Sequence, residues 1–172
     1  MSVAIATSQR ILNAARAHLQ GQLEQVCFFR ASARDGTLEL NEIRAIEPDE
    51  LELQLSYHLE LSDASRSDLI RWAWEADACL VEAHLHTTKG FAEFSPSDYR
   101  GFREWVPHVW WRLQGKPYAA LVTDGVDWDG LAWMVSPSLP VDVSRLASPE
   151  QTIVCTGRSI RAVNQKVADD EL

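Results

Sequence analysis

Basic residues are scarce in this chain: 16 lysines and arginines stand against 25 aspartates and glutamates, a formal net charge of −9 at pH 7. Phosphate backbones are held by basic surfaces, so this balance argues against nucleic acid as a partner. Long apolar runs are missing too. No stretch approaches the roughly 20 apolar residues that cross a bilayer, and Met1-Ser2-Val3-Ala4-Ile5-Ala6-Thr7 has neither the basic start nor the long apolar core of a secretion signal. Cytoplasmic residence away from membranes is therefore the default expectation. Cysteine is sparse: Cys27, Cys79 and Cys155 make no paired framework and no C-x-x-C ribbon. As small apolar side chains they are expected in the core. No internal repeat or low-complexity block is present.

What remains is the composition of a compact enzyme-sized domain. With 172 residues, 46% of them hydrophobic, the chain can bury a full core and reads as one domain over 1–172, with a frayed acidic tail at 168–172. Apolar residues at helical spacings predict helices over residues 7–20, 65–77 and 96–113, the last bent or divided at Pro107. Strands are expected over 27–31, 37–46, 51–61, 78–86, 118–123 and 131–135, with Asp35-Gly36 turning the first pair into a hairpin. The alternation over 51–61 puts His58 on a solvated face. Helices and strands alternating in this way suit an α/β sheet. Of the seven tryptophans, Trp105, Trp111 and Trp128 fit the apolar stripes least well and are the candidates for exposure at a partner surface. His18 and His108 read as ordinary surface or capped residues.

Chemistry concentrates in one segment. His84-Leu85-His86 ends a strand, and successive side chains of a strand point to opposite faces, so both imidazoles project to the same side. Two imidazoles on one face can grip one metal ion. Ser95-Pro96-Ser97-Asp98 follows as a helix start, with serine at the N-cap, proline in the first turn and an acid three residues on. The cap fixes Asp98 one loop away from the histidines. Two imidazoles and a carboxylate suit Zn²⁺, and three protein ligands leave a fourth position open, as in catalytic sites.

His84-x-His86 followed by Ser95-x-x-Asp98 resembles the JAMM motif of the JAB/MPN metalloproteases, H-x-H-x7-S-x-x-D. The family also carries an upstream glutamate in an E-x-x-G-x-L-x-G strand, and the segment from Glu24 to Ala31 is similar to it, beginning 60 residues before His84. Cys27 and Ala31 stand where the glycines usually are. Eight residues separate His86 from Ser95 instead of seven, Leu85 replaces a serine or threonine, and Thr87 replaces a proline. Glu39, Glu42 and Glu82 are alternative positions for the glutamate. Glu24 is preferred because it directly precedes an apolar run at the family's offset.

The resemblance spans about residues 8 to 135 and implies a curved mixed β-sheet flanked by helices, of JAB/MPN-like, cytidine-deaminase-like architecture. It implies one catalytic zinc held by His84, His86 and Asp98, with Glu24 as general base and then general acid, and Ser95 donating a hydrogen bond to the oxyanion. The implied activity is that of an isopeptidase or peptidase cutting after the C-terminal tail of a ubiquitin-like protein. Its setting would be a bacterial ubiquitin-like conjugation system, with the associated activating and conjugating enzymes as further partners. Processing of a sulfur-carrier tail and an inactive MPN-like scaffold are the alternatives.

Overall fold

The computed structural model describes residues 1–170, with side chains through 167. Its elements run β1 (Ser2–Ala6), α1 (Gln9–His18), β2 (Val26–Arg34), β3 (Thr37–Ala45), β4 (Leu51–Gln54), β5 (Leu59–Leu61), α2 (Asp63–Glu75), β6 (Cys79–Leu85), α3 (Pro96–Arg112), β7 (Tyr118–Thr123), β8 (Trp128–Trp133), β9 (Val141–Ala147), β10 (Thr152–Val154) and α4 (Arg158–Asp170). Around the main sheet the order is β1-β3-β2-β6-β7-β8-β9-β10, and β9 also pairs with β1. Seven strands thus close into a mixed barrel, with β10 as an appendage of β9. The β4–β5 hairpin forms a separate two-stranded sheet.

This architecture overturns the expected α/β class, a curved mixed sheet flanked by helices. The cause is β1, five residues that carried no strand signal of their own, which pairs in parallel with β3 on one side and β9 on the other. One short strand joins two edges that would otherwise stay open. The stretch over 51–61 is also corrected. It breaks at residues 55–58 into β4 and β5, with Leu51 opposite Leu61 and Gln54 opposite Leu59. β9, β10 and α4 were not anticipated. Pro107 does not divide α3, which runs through it as one helix; proline there forgoes one helical hydrogen bond on an exposed face. Of the tail expected to fray at 168–172, α4 continues to Asp170 and residues 171 and 172 lie outside the described residues.

Local chemistry sets the element boundaries. Ser8 and Ser62 cap α1 and α2, their hydroxyls accepting from Ile11 N–H and Ser65 N–H, each at 3.2 Å. Asp35 and Gly36 both take positive φ, 48° and 75°. A tight hairpin turn whose twist matches its strands needs that of both central residues, so β2 and β3 pair as expected.

Alternation along the strands divides the apolar residues into two clusters. Val3, Ile5, Cys27, Phe29, Leu38, Val81, Ala83, Leu121 and Trp128 belong to the first, which Ile11, Leu12 and Ala15 of α1 complete. Phe28, Leu80, Tyr118, Val122, Leu131 and Trp133 look outward from the barrel and pack against Leu69 of α2 and against Phe102, Val106 and Val109 of α3. All three cysteines are buried. Trp128 is buried as well, Trp105 is half-buried, and Trp74 and Trp111 are the exposed tryptophans among the described residues.

The barrel wall is tight where β8 crosses β7. A Cβ added to Gly130 would stand 2.7 Å from Leu121 Cδ2 and 3.0 Å from both the Ala120 carbonyl oxygen and Val143 Cβ. Backbone cannot move aside as a side-chain tip can. Gly130→Ala is accordingly expected to destabilise the protein by about 1–3 kcal/mol, read as a lower urea midpoint with an unchanged slope.

Candidate metal centre

The outward face of β6 carries Leu80, Glu82 and His84 between β2 and β7, with Val26 and Val122 opposite His84. His86 lies just past the strand end, and its N–H donates to the Thr123 carbonyl at 2.8 Å, which prolongs the ladder far enough to keep both imidazoles on one side. The Nε2 atoms of His84 and His86 face each other at 3.1 Å. Asp98 reaches them from the first turn of α3: Oδ1 is 3.6 Å from His84 Nε2 and Oδ2 is 3.3 Å from His86 Nε2.

These spacings fit a shared cation. Donors placed tetrahedrally at about 2.0–2.1 Å from a zinc ion stand about 3.3 Å from each other. Among the described residues, His84, His86 and Asp98 form a group able to hold a metal ion, compatible with zinc without identifying it. The backs of the rings are engaged separately. His86 Nδ1 is 3.2 Å from the Phe91 carbonyl oxygen, and His84 Nδ1 is 3.8 Å from Glu82 Oε1. The Phe91 carbonyl favours N–H at Nδ1 of His86, with its Nε2 facing inward, and Glu82 stands on the Nδ1 side of His84, beyond hydrogen-bond distance.

The local field favours positive charge. Burial works to lower the His84 pKa, but the Asp98 and Glu82 carboxylates outweigh it and hold it up at about 10. Burial opposes ionisation of Asp98 as well, yet His84, His86 and the Ser95 contact keep it well below the usual carboxylate range. Asp98 has a second task. Its Oδ2 accepts from Ser95 N–H at 2.6 Å while Ser95 Oγ accepts from Asp98 N–H at 3.2 Å, a reciprocal cap that starts α3. The cap that the sequence displays is what aims the carboxylate.

Glu24 lies just before β2 and does not begin it. Continuing the β2–β6 register, in which Val26 faces His84 and Leu85 N–H donates to the Gln25 carbonyl at 2.9 Å, sets Glu24 opposite His86. Gln54 Nε2 donates to the Glu24 carbonyl oxygen at 2.9 Å and fixes the segment. Burial raises the Glu24 pKa against the pull of His84 and His86, and Asp98 adds to the rise. Glu24, His84, Ser95 and Asp98 line one open cleft of about 750 Å³. Of the alternative glutamates, Glu39 and Glu42 are exposed on β3, where Glu42 pairs with Arg30 at 2.8 Å. Glu82 lines the same cleft, on the Nδ1 side of the His84 ring.

Several participants went unrecognised in the sequence. Tyr118 donates to Glu82 Oε2 and accepts from Trp105 Nε1 at 2.9 Å; burial, reinforced by Glu82, pushes the Tyr118 phenol well above its ordinary pKa. His58, expected to be solvated, lines the cleft and pairs with Glu60 at 2.8 Å. His18 anchors the start of β2 through the Val26 carbonyl at 2.9 Å. The loop over 87–94 is held from behind. Arg158 donates to Gly90 O at 2.6 Å, Thr156 to Ala92 O at 3.3 Å, and Phe94 N–H to Ser159 Oγ at 3.1 Å. Phe94 then walls the site, its ring 5.6 Å from His84 and 4.9 Å from Phe102.

Among the described residues no helix is long and apolar enough to cross a membrane. No family model and no curated protein matches the chain.

Proposed function

We propose that the protein is a zinc-dependent isopeptidase or peptidase that cuts after the C-terminal tail of a ubiquitin-like protein, in deconjugation or precursor processing. The observation that carries this reading is the grouping of His84, His86 and Asp98 at spacings that suit one metal ion, with His84 and Asp98 lining the same open cleft as Glu24 and Ser95. It rests on the site and not on the architecture, because one chemistry recurs on unrelated folds. A zinc ion held by the three ligands supplies Lewis acidity, which activates water and polarises a carbonyl. Glu24 takes the proton from the attacking water and delivers it to the departing amine, a task suited to a carboxylate whose proton affinity burial has raised. Ser95 Oγ uses its lone pairs for the helix cap and keeps its hydrogen to donate to the carbonyl oxygen as charge builds there.

The cleft suits an extended substrate. It continues from His84 and Asp98 past β5, which among the described residues pairs only with β4, and a peptide tail laid along the open edge of β5 would be held by main-chain hydrogen bonds. Incubating the protein with fusions of candidate ubiquitin-like proteins, with and without chelator, tests the reaction. Cleavage after the terminal glycine of the tail, abolished by chelator and restored by zinc, is expected. Undiminished cleavage in chelator would sink the reading.

A further inference from the structure

Four side chains from three elements line up behind the centre. Trp105 of α3 donates through Nε1 to Tyr118 Oη at 2.9 Å, Tyr118 of β7 donates to Glu82 Oε2, and Glu82 Oε1 stands 3.8 Å from Nδ1 of His84, its neighbour two residues along β6. Tyr118 is fully buried, and the Glu82 side chain is only 12% exposed. Nothing about strand pairing requires a carboxylate here. The other outward residues of β6 and β7 nearby are Leu80, Ala120 and Val122, all apolar. An acid in such a wall needs a role that offsets its desolvation.

We propose that Glu82 is a positioning residue of the metal centre: it accepts the Nδ1 hydrogen of His84 and so selects the tautomer whose Nε2 lone pair faces the ion, while Tyr118 and Trp105 hold the carboxylate in place. The inference rests on the metal-centre reading above. A carboxylate is suited because it only accepts, and it has two oxygens for two donors, the Tyr118 hydroxyl and the His84 ring. A glutamine of the same shape has one accepting and one donating end. With its amide nitrogen toward Tyr118 it sets a donor against the Tyr118 hydroxyl; with its amide nitrogen toward His84 it offers a donor to Nδ1, and the histidine relieves that conflict by moving its hydrogen to Nε2. Glu82 lies on the Nδ1 side of the ring, away from the Nε2 atoms, so it acts on the centre through His84. His86 has its own fixture in the Phe91 carbonyl, so the loss falls on one ligand.

Zinc affinity, measured on the full chain by competition with a chromophoric chelator, tests the proposal together with ¹⁵N resonances of the imidazoles, followed over a pH titration of chelator-treated protein up to the pH at which both rings are neutral. Glu82→Gln is expected to weaken zinc binding about 10- to 100-fold and to move the His84 nitrogens toward the Nε2–H pattern. Tyr118→Phe is expected to lose less, and Trp105→Phe least. A purely packing role for Glu82 would leave the tautomer where it is. Unchanged affinity and tautomer in Glu82→Gln, with binding abolished in His84→Ala, overturns the proposal and leaves the metal centre intact. A wild-type chain that takes up no zinc overturns both. Should Glu82→Gln fail to fold, the same two readings on Tyr118→Phe decide, and no change in either refutes the proposal.

Discussion

Glu24→Gln is expected to leave zinc at about one ion per chain while lowering turnover roughly 100- to 10,000-fold, the usual contribution of a positioned acid–base group. The amide keeps the shape and the polar contacts of the segment but has no basic oxygen for the water proton. The Glu24 carbonyl, not its carboxylate, receives the Gln54 bond that secures the loop, so the substitution should not disturb the fold. Metal analysis of the purified variant, beside single-turnover cleavage of a fusion substrate, separates the two quantities. Cleavage at the wild-type rate would assign the base elsewhere, and the positions of Glu39 and Glu42 on the exposed β3 strand leave neither within the cleft.

Substitution of the ligands should act on metal content itself. His84→Ala and Asp98→Ala are each expected to reduce bound zinc to background and abolish cleavage, but the two differ in stability. Asp98→Ala also strips the reciprocal cap from α3 and should cost about 1 kcal/mol in chelator, where His84→Ala loses nothing of that kind. Asp98→Asn separates the roles. Its amide oxygen can still accept from Ser95 N–H, so the cap is kept: in chelator it should lose the charge contact with His84 and His86 but melt above Asp98→Ala, while zinc is lost. Retention of a full zinc equivalent by either Asp98 variant would remove this carboxylate from the ligand set. Chelator scans of melting temperature, with metal content measured in parallel, make the comparison.

The grouping of His84, His86 and Asp98, which could hold a metal ion, was legible in the sequence because each signal is local. A pleat puts His84 and His86 on one side whatever surrounds the strand, and Ser95-Pro96-Ser97-Asp98 starts a helix from its own capping chemistry. Asp35-Gly36 likewise turned its hairpin without help from the rest of the chain. Closure was not legible, because it depends on Ser2–Ala6 meeting Val141–Ala147, a partnership that no window of sequence contains. The alternation over 51–61 concealed a turn: residues 55–58 reverse the chain, Leu51 faces Leu61, and a register shift after Leu51 leaves Leu53 exposed opposite Glu60. Glu82 could be placed on the face of His84 from spacing alone. Its partners Tyr118 and Trp105 come from other elements, and only the folded arrangement brings them together.

The same closure bears on how the molecule is assembled. Ser144 Oγ donates to the Val3 carbonyl across 141 residues of chain, and β1 has no hairpin partner to zip against beforehand. Pairings of such large sequence separation must overcome the entropy of a very long loop before they return any contact, and chains dominated by them fold slowly. Docking of the N-terminal strand should therefore be the last and slowest event of refolding, and until it happens the β3 and β9 edges present unpaired amides on which neighbouring molecules can stack.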